Sequence, residues 1–75
     1  MLVKDLIHLL STFDPELRII APGYEGGYND LNEAKTVQIA LNVNPEAWYG
    51  DHELLDNLSP EKQAVAVSVT AVLLT

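Results

Sequence analysis

The stretch Ala64-Val65-Ala66-Val67-Ser68-Val69-Thr70-Ala71-Val72-Leu73 places Val65, Val67, Val69, Ala71 and Leu73 at a period of two. Alternation over such a span is the mark of a β-strand, whose successive side chains point to opposite faces. It predicts a strand over 64–73. The other face, made of Ala64, Ala66, Ser68, Thr70 and Val72, is small and only weakly polar. Such a face is expected under another layer or subunit rather than fully open to water.

Working upstream, Val37, Ile39, Leu41 and Val43 alternate with Thr36, Gln38, Ala40 and Asn42, which predicts a second strand beginning near Glu33 and stopped by Asn44-Pro45. Leu17-Arg18-Ile19-Ile20-Ala21, bordered by Pro15 and Pro22, reads as another strand. At the start of the chain, Leu2, Leu6, Leu9 and Phe13 recur with Val3, Ile7 and Leu10 at spacings of three and four, the stripe of an amphipathic helix over 2–13. Asp14-Pro15 stops it, because proline lacks an amide donor and disfavours the α region in the residue before it. No Ser, Thr, Asp or Asn precedes Val3, so the helix start is poorly capped.

Between Pro45 and the last strand, Leu54, Leu55 and Leu58 allow a short second helix within 46–62, and Ser59-Pro60-Glu61 has a serine cap followed by proline at the first helical position. The expected fold is therefore α+β. An N-terminal helix packs on a small three-stranded antiparallel sheet, in one domain spanning 1–75.

At 75 residues the chain supports one core, and a domain of this size buries only about 60% of the surface its unfolded form exposes. Self-association is a common remedy, so a homo-oligomer is expected. With 48% hydrophobic residues the chain should fold despite a net charge of −7. The absence of cysteine excludes disulfides and thiolate chemistry and suits a reducing, cytoplasmic setting. No stretch is long and apolar enough to suggest a membrane span. Eleven acids against four bases repel a polyanion, so no nucleic-acid polymer is expected as partner.

The aromatic residues fall mostly outside the predicted elements. Phe13 lies on the helix stripe, whereas Tyr24 and Tyr28 flank a glycine-rich loop over 22–30 and Trp48 and Tyr49 lie in the long connection. Tyrosine and tryptophan combine a flat apolar face with a polar edge, which suits stacking on a heterocycle. Gly26 and Gly27 let backbone amides approach an anion. Glu25, Asn29 and Asp30 are acceptors for ribose hydroxyls or an amine, and Arg18 is the nearest base upstream for a phosphate. The candidate ligand-binding set is thus Arg18, Tyr24, Glu25, Gly26, Gly27, Tyr28, Asn29, Asp30, Trp48 and Tyr49, and the ligand class is a small nucleotide-like molecule. The plainer account is that the glycines merely let the chain turn while the tyrosines pack over a sheet edge.

No Gly-Lys-Ser/Thr follows the loop, and the spacing is not that of a dinucleotide fingerprint. No cofactor is expected. Asp51-His52-Glu53 is the one cluster resembling metal ligands, yet consecutive residues point to different faces, and a solvated polar turn is the expected reading. Ser11, Ser59 and Ser68 have no histidine partner by spacing, so no nucleophile is assigned and no catalysis is expected.

The segments Val3-Lys4-Asp5-Leu6-Ile7, Asp14-Pro15-Glu16-Leu17 and Pro22-Gly23-Tyr24-Glu25-Gly26-Gly27-Tyr28-Asn29-Asp30 resemble a group of very small bacterial and phage proteins. The Gly-Tyr-Glu-Gly-Gly-Tyr loop is the most distinctive part of the match. Small acidic oligomeric phage proteins of this general kind include sponges that sequester nucleotide-derived immune signals such as cyclic ADP-ribose species. The resemblance implies an anti-defence sponge and carries no assignment of individual ligand residues. The rival expectation is a protein-interaction module that inhibits or scaffolds a host partner through an acidic surface.

Overall fold

The computed structural model describes residues 1–75 and divides into two compact units, Met1–Ala34 with Leu74–Thr75, and Lys35–Leu73. The class is α+β, with two short helices, a two-stranded sheet and a three-stranded sheet.

In the first unit the apolar stripe forms α1, Val3–Leu10. Leu2 supplies no side-chain cap, but its amide donates to Asp5 Oδ2 at 2.9 Å, so one orphan donor is satisfied from inside the helix. The helix stops at Leu10, three residues short of the expected end. Ser11 Oγ donates to the His8 carbonyl at 2.6 Å and Thr12 Oγ1 to the Leu9 carbonyl at 2.9 Å, local bonds that compete with continuation of the helix. Asp14 then turns the chain, accepting from Glu16 N through Oδ1 at 2.9 Å and from Leu17 N through its carbonyl at 3.1 Å.

That turn takes up Leu17, the first residue of the expected strand 17–21. The strand β1 is only Ile20–Pro22, and it pairs antiparallel with β2, Tyr28–Asp30, which the sequence reading left inside a loop. The register sets Ile20 opposite Asp30, Ala21 opposite Asn29 and Pro22 opposite Tyr28. Pro22 is tolerated because a two-stranded ribbon leaves each strand one free edge. This hairpin is a sheet of its own and supplies no strand to the three-stranded sheet. α1 buries none of its residues, and Phe13, expected in the core, is 57% exposed.

In the three-stranded sheet, β3 (Ala34–Ala40) lies between β4 (Glu53–Leu54) and β5 (Ser68–Leu74). β3 and β4 are antiparallel, with Ile39 opposite Leu54 and Ala40 opposite Glu53. Beyond β3, Leu41 N donates to the Val67 carbonyl at 2.8 Å, and Gln38 Nε2 reaches Thr70 Oγ1 at 2.7 Å across the β3–β5 pair. The predicted alternation holds in β3 and just past it except at Ala40: Val37, Ile39, Leu41 and Val43 are half-buried and Thr36, Gln38 and Asn42 exposed, but Ala40, on the second face, is buried. Half-burial of such side chains contributes about 1 kcal/mol each. Ala40 is the one fully buried residue of the chain.

The expected strand over 64–73 is shorter at its start, because residues 60–65 are helical. The helix α2, Pro60–Val65, has Ser59 as cap, whose Oγ accepts from Lys62 N at 3.4 Å, and proline in its first turn. A single turn of 3-10 helix at Leu55–Asn57 precedes it. β5 is only partly covered on either face: Ala71 is half-buried, Val69 is 38% exposed and Val72 48%.

Candidate functional site

The β1–β2 hairpin carries most of the predicted binding residues. Its turn is closed by Gly23 N donating to the Gly27 carbonyl at 2.9 Å. Gly23, Gly26 and Gly27 all require glycine, Gly26 because its φ is +153°. A Cβ at Gly23 would run into the carbonyl oxygen of Gly26, and Gly27 has φ +64°, the left-handed region that costs other residues energy.

The tip faces outward. Tyr24 is fully exposed and Tyr28 is 71% exposed, so neither ring packs over a sheet edge. The amides of Tyr24, Glu25, Gly26 and Gly27 donate to no group of the chain.

Alternation along β2 sorts the remaining residues. Tyr28 and Asp30 share one face of the ribbon with Pro22 and Ile20, whereas Asn29 points to the other with Ala21. On the first face Arg18 Nε meets Asp30 Oδ1 at 3.4 Å, the only ion pair of the chain. Asp30 lies two residues from Tyr28, about 7 Å along a strand, so the ring and the ion pair share one face of the ribbon. Both partners of the pair are substantially exposed, and its contribution to stability is small. Arg18 thus sits at the open end of the ribbon, and the glycine turn is at the closed end.

Trp48 and Tyr49 belong to the second unit, in a loop closed by Asn44. Asn44 N donates to the Asp51 carbonyl at 3.1 Å, and its Nδ2 donates to the Gly50 carbonyl at 2.9 Å. Tyr49 N returns to the Glu46 carbonyl at 3.2 Å. The clasp leaves Trp48 85% exposed and Tyr49 57% exposed. Asn44 was read from sequence only as a strand end; the signal available was its amide, which bridges backbone groups readily at a turn.

Asp51-His52-Glu53 is used structurally. His52 Nδ1 accepts from Asn42 N at 3.0 Å, holding a turn in which Asn42 has φ +54°. Glu53 Oε1 accepts from Leu54 N and from Asn57 Nδ2, at 3.0 and 3.1 Å. No group of three or more His, Cys, Asp or Glu is placed to hold a metal ion.

Two cavities stand out elsewhere. One, of about 390 Å³, lies in the second unit among Leu41, Val43, Leu58, Lys62, Val65 and Val67. The other, of about 830 Å³, lies in the first unit among Leu10, Phe13, Pro15, Leu17, Ile19 and Ile20, with Asp14 and Arg18 in its wall. Of the predicted binding residues only Arg18 lines either one. No helix is long and apolar enough to cross a membrane. Comparisons with protein-family models, curated proteins and solved structures find no match to the chain.

Proposed function

We propose that the chain is a non-enzymatic binding protein for a small nucleotide-like molecule, of the cyclic ADP-ribose or cyclic dinucleotide type, and that it acts as a sponge for such a signal. One observation carries this reading: the hairpin presents two uncovered tyrosine rings, with unpartnered amides between them and a guanidinium on the same face of the ribbon as Tyr28. A ring stacks a base, while amides and guanidinium supply donors for phosphate or ribose. A tight turn whose only task was to reverse the chain would gain nothing from leaving large rings in water.

Calorimetry against cyclic dinucleotides and ADP-ribose derivatives tests it. Tyr24→Ala and Tyr28→Ala should each weaken binding by about tenfold or more, the scale of base–aromatic stacking. Absence of heat across the panel at millimolar ligand would overturn the proposal. Trp48 is the only tryptophan, so its fluorescence reports separately whether the second aromatic loop meets the ligand.

A second reading, a module that inhibits or scaffolds a protein partner, is favoured by the charge distribution. Eleven acids share a single ion pair, which leaves a strongly acidic surface suited to a basic partner. A stoichiometric partner retained by the Tyr24→Ala and Trp48→Ala variants would select this reading.

A further inference from the structure

We propose that the outer edge of β5 pairs antiparallel with the same edge of a second copy of this chain, joining two three-stranded sheets into one. The hydrogen bonds between β3 and β5 decide which way the backbone of β5 points. Leu41 N donates to the Val67 carbonyl, and Glu33 and Thr75 exchange bonds in both directions, so the strands are antiparallel and Ile39 pairs with Val69 and Val37 with Ala71. Gln38 and Thr70 face each other between those bonded pairs, as their side-chain bond of 2.7 Å requires. The amides and carbonyls of Ser68, Thr70 and Val72 therefore point away from β3, and no strand of the sheet lies beyond β5. They bond to no other backbone group.

The two edges of this sheet are unlike. β4 closes one side with two residues, Glu53 and Leu54, and is blunted by its shortness and its charge. β5 runs for seven residues with no proline and no charge, the kind of edge that templates another strand. No residue from Gln63 to Thr75 is charged, and this is the longest such stretch in the chain. Copies that each carry a net charge of −7 repel least where neither brings a charge.

An occupant must be an extended segment that turns three alternate residues toward Ser68, Thr70 and Val72. The first unit has none to offer. In its hairpin Ala21 and Asn29 bond to each other, which leaves β1 only Ile20 and Pro22 on its outer edge, the latter without an amide, and β2 only Tyr28 and Asp30. The rest of that unit is helix α1, the turn at 14–17 and the glycine turn. A second β5 supplies the full match: about a two-fold axis Thr70 meets Thr70 and Ser68 meets Val72, so every outward amide finds a carbonyl. Such an isologous contact uses the one long edge of each copy and therefore closes at two.

The chain has no cysteine, which permits a direct test. Sedimentation of the full-length protein at high micromolar concentration should give the mass of two copies. Under mild oxidation Thr70→Cys should form a disulfide-linked dimer, since bonded partners stand about 5.5 Å apart at Cα, within disulfide reach. Thr36→Cys on β3 should stay unlinked, because three strand spacings, about 14 Å, separate β3 from its copy. Thr70→Lys, which sets like charges opposite each other and keeps every backbone bond, should weaken the dimer about fivefold or more with the circular dichroism of the fold unchanged. A monomeric mass would overturn the proposal, and protection of the Thr70 amide from hydrogen exchange in that monomer would seat another segment of the same chain on the edge. Larger assemblies, equal linking of the two cysteine variants, or a dimer indifferent to Thr70→Lys would overturn it too.

Discussion

Replacing Gly23 by alanine should open the hairpin that carries the tyrosines while leaving the second unit intact. The added Cβ meets the Gly26 carbonyl oxygen, a backbone atom that cannot rotate aside, so the turn itself must move. Forced overpacking costs about 1–3 kcal/mol, and displacement of the 2.9 Å bond from Gly23 N to the Gly27 carbonyl adds about 1 kcal/mol. The ribbon has only three registered pairs, and an isolated two-stranded hairpin is marginal, so a loss of about 2–4 kcal/mol is enough to open it. Native-state hydrogen exchange reads this at the Leu31 amide, which donates to the Ile19 carbonyl at 3.2 Å. Its exchange should accelerate on the order of a hundredfold, or lose protection outright. The amides of Leu41 and Gln63, bonded to Val67 and Ser59 in the second unit, should be unchanged. Gly50→Ala is the control: a Cβ there meets nothing and its φ is not positive, so the variant should be neutral or stabilised by about 0.4–1 kcal/mol. Unchanged Leu31 protection in Gly23→Ala, or equal damage from Gly50→Ala, would refute the steric argument.

Asn42 has φ +54°, so Asn42→Val should cost about 1–2 kcal/mol in urea unfolding while Asn42→Gly stays close to the parent; the bond from Asn42 N to His52 survives both because it uses the backbone. Asn44→Ala removes the 2.9 Å bond to the Gly50 carbonyl and should lower the fluorescence anisotropy of Trp48 at a stability cost of about 1 kcal/mol. Asn29 points away from the face that holds Tyr28, Asp30 and Arg18, so Asn29→Ala should leave nucleotide affinity within about twofold of the parent, measured by the same calorimetry that detects the tyrosine variants.

Residues 37–43 were legible because their alternation is a property of the strand alone: whatever pairs with β3, Val37 and Ile39 point one way and Gln38 the other. Alternation alone predicts strand at residues 64 and 65, which belong to α2. Ala64, Val65 and Ala66 satisfy either period over so short a span, and the cap decides in favour of the helix. β4 is two residues long and has no period to read; it exists because the loop clasped by Asn44 returns Glu53 opposite Ala40. The early end of α1 turns on the hydroxyls of Ser11 and Thr12, which bond to the preceding turn where an aliphatic stripe alone predicts continuation to Phe13.

The candidate site shows the same division between residue chemistry and geometry. Tyr24, Tyr28 and the glycines were legible as types, since rings and positive-φ positions clustered in nine residues limit what the segment can do. Their arrangement depended on a strand that no pattern announced, because Tyr28-Asn29-Asp30 lacks the β-branched run that marks one. Once β2 is paired, the acceptors assigned as a group separate: Asp30 joins Arg18 beside Tyr28, and Asn29 falls on the opposite face. A ligand on the Tyr28 face therefore meets a guanidinium whose Nε already faces a carboxylate, so a phosphate taken by its two terminal nitrogens lies in the repulsive field of Asp30. Asp30→Asn, which keeps the shape and removes the competing charge, would strengthen an anionic ligand on that face and weaken an amine-bearing one. The sign of that single change therefore separates the two ligand chemistries that the hairpin residues allow.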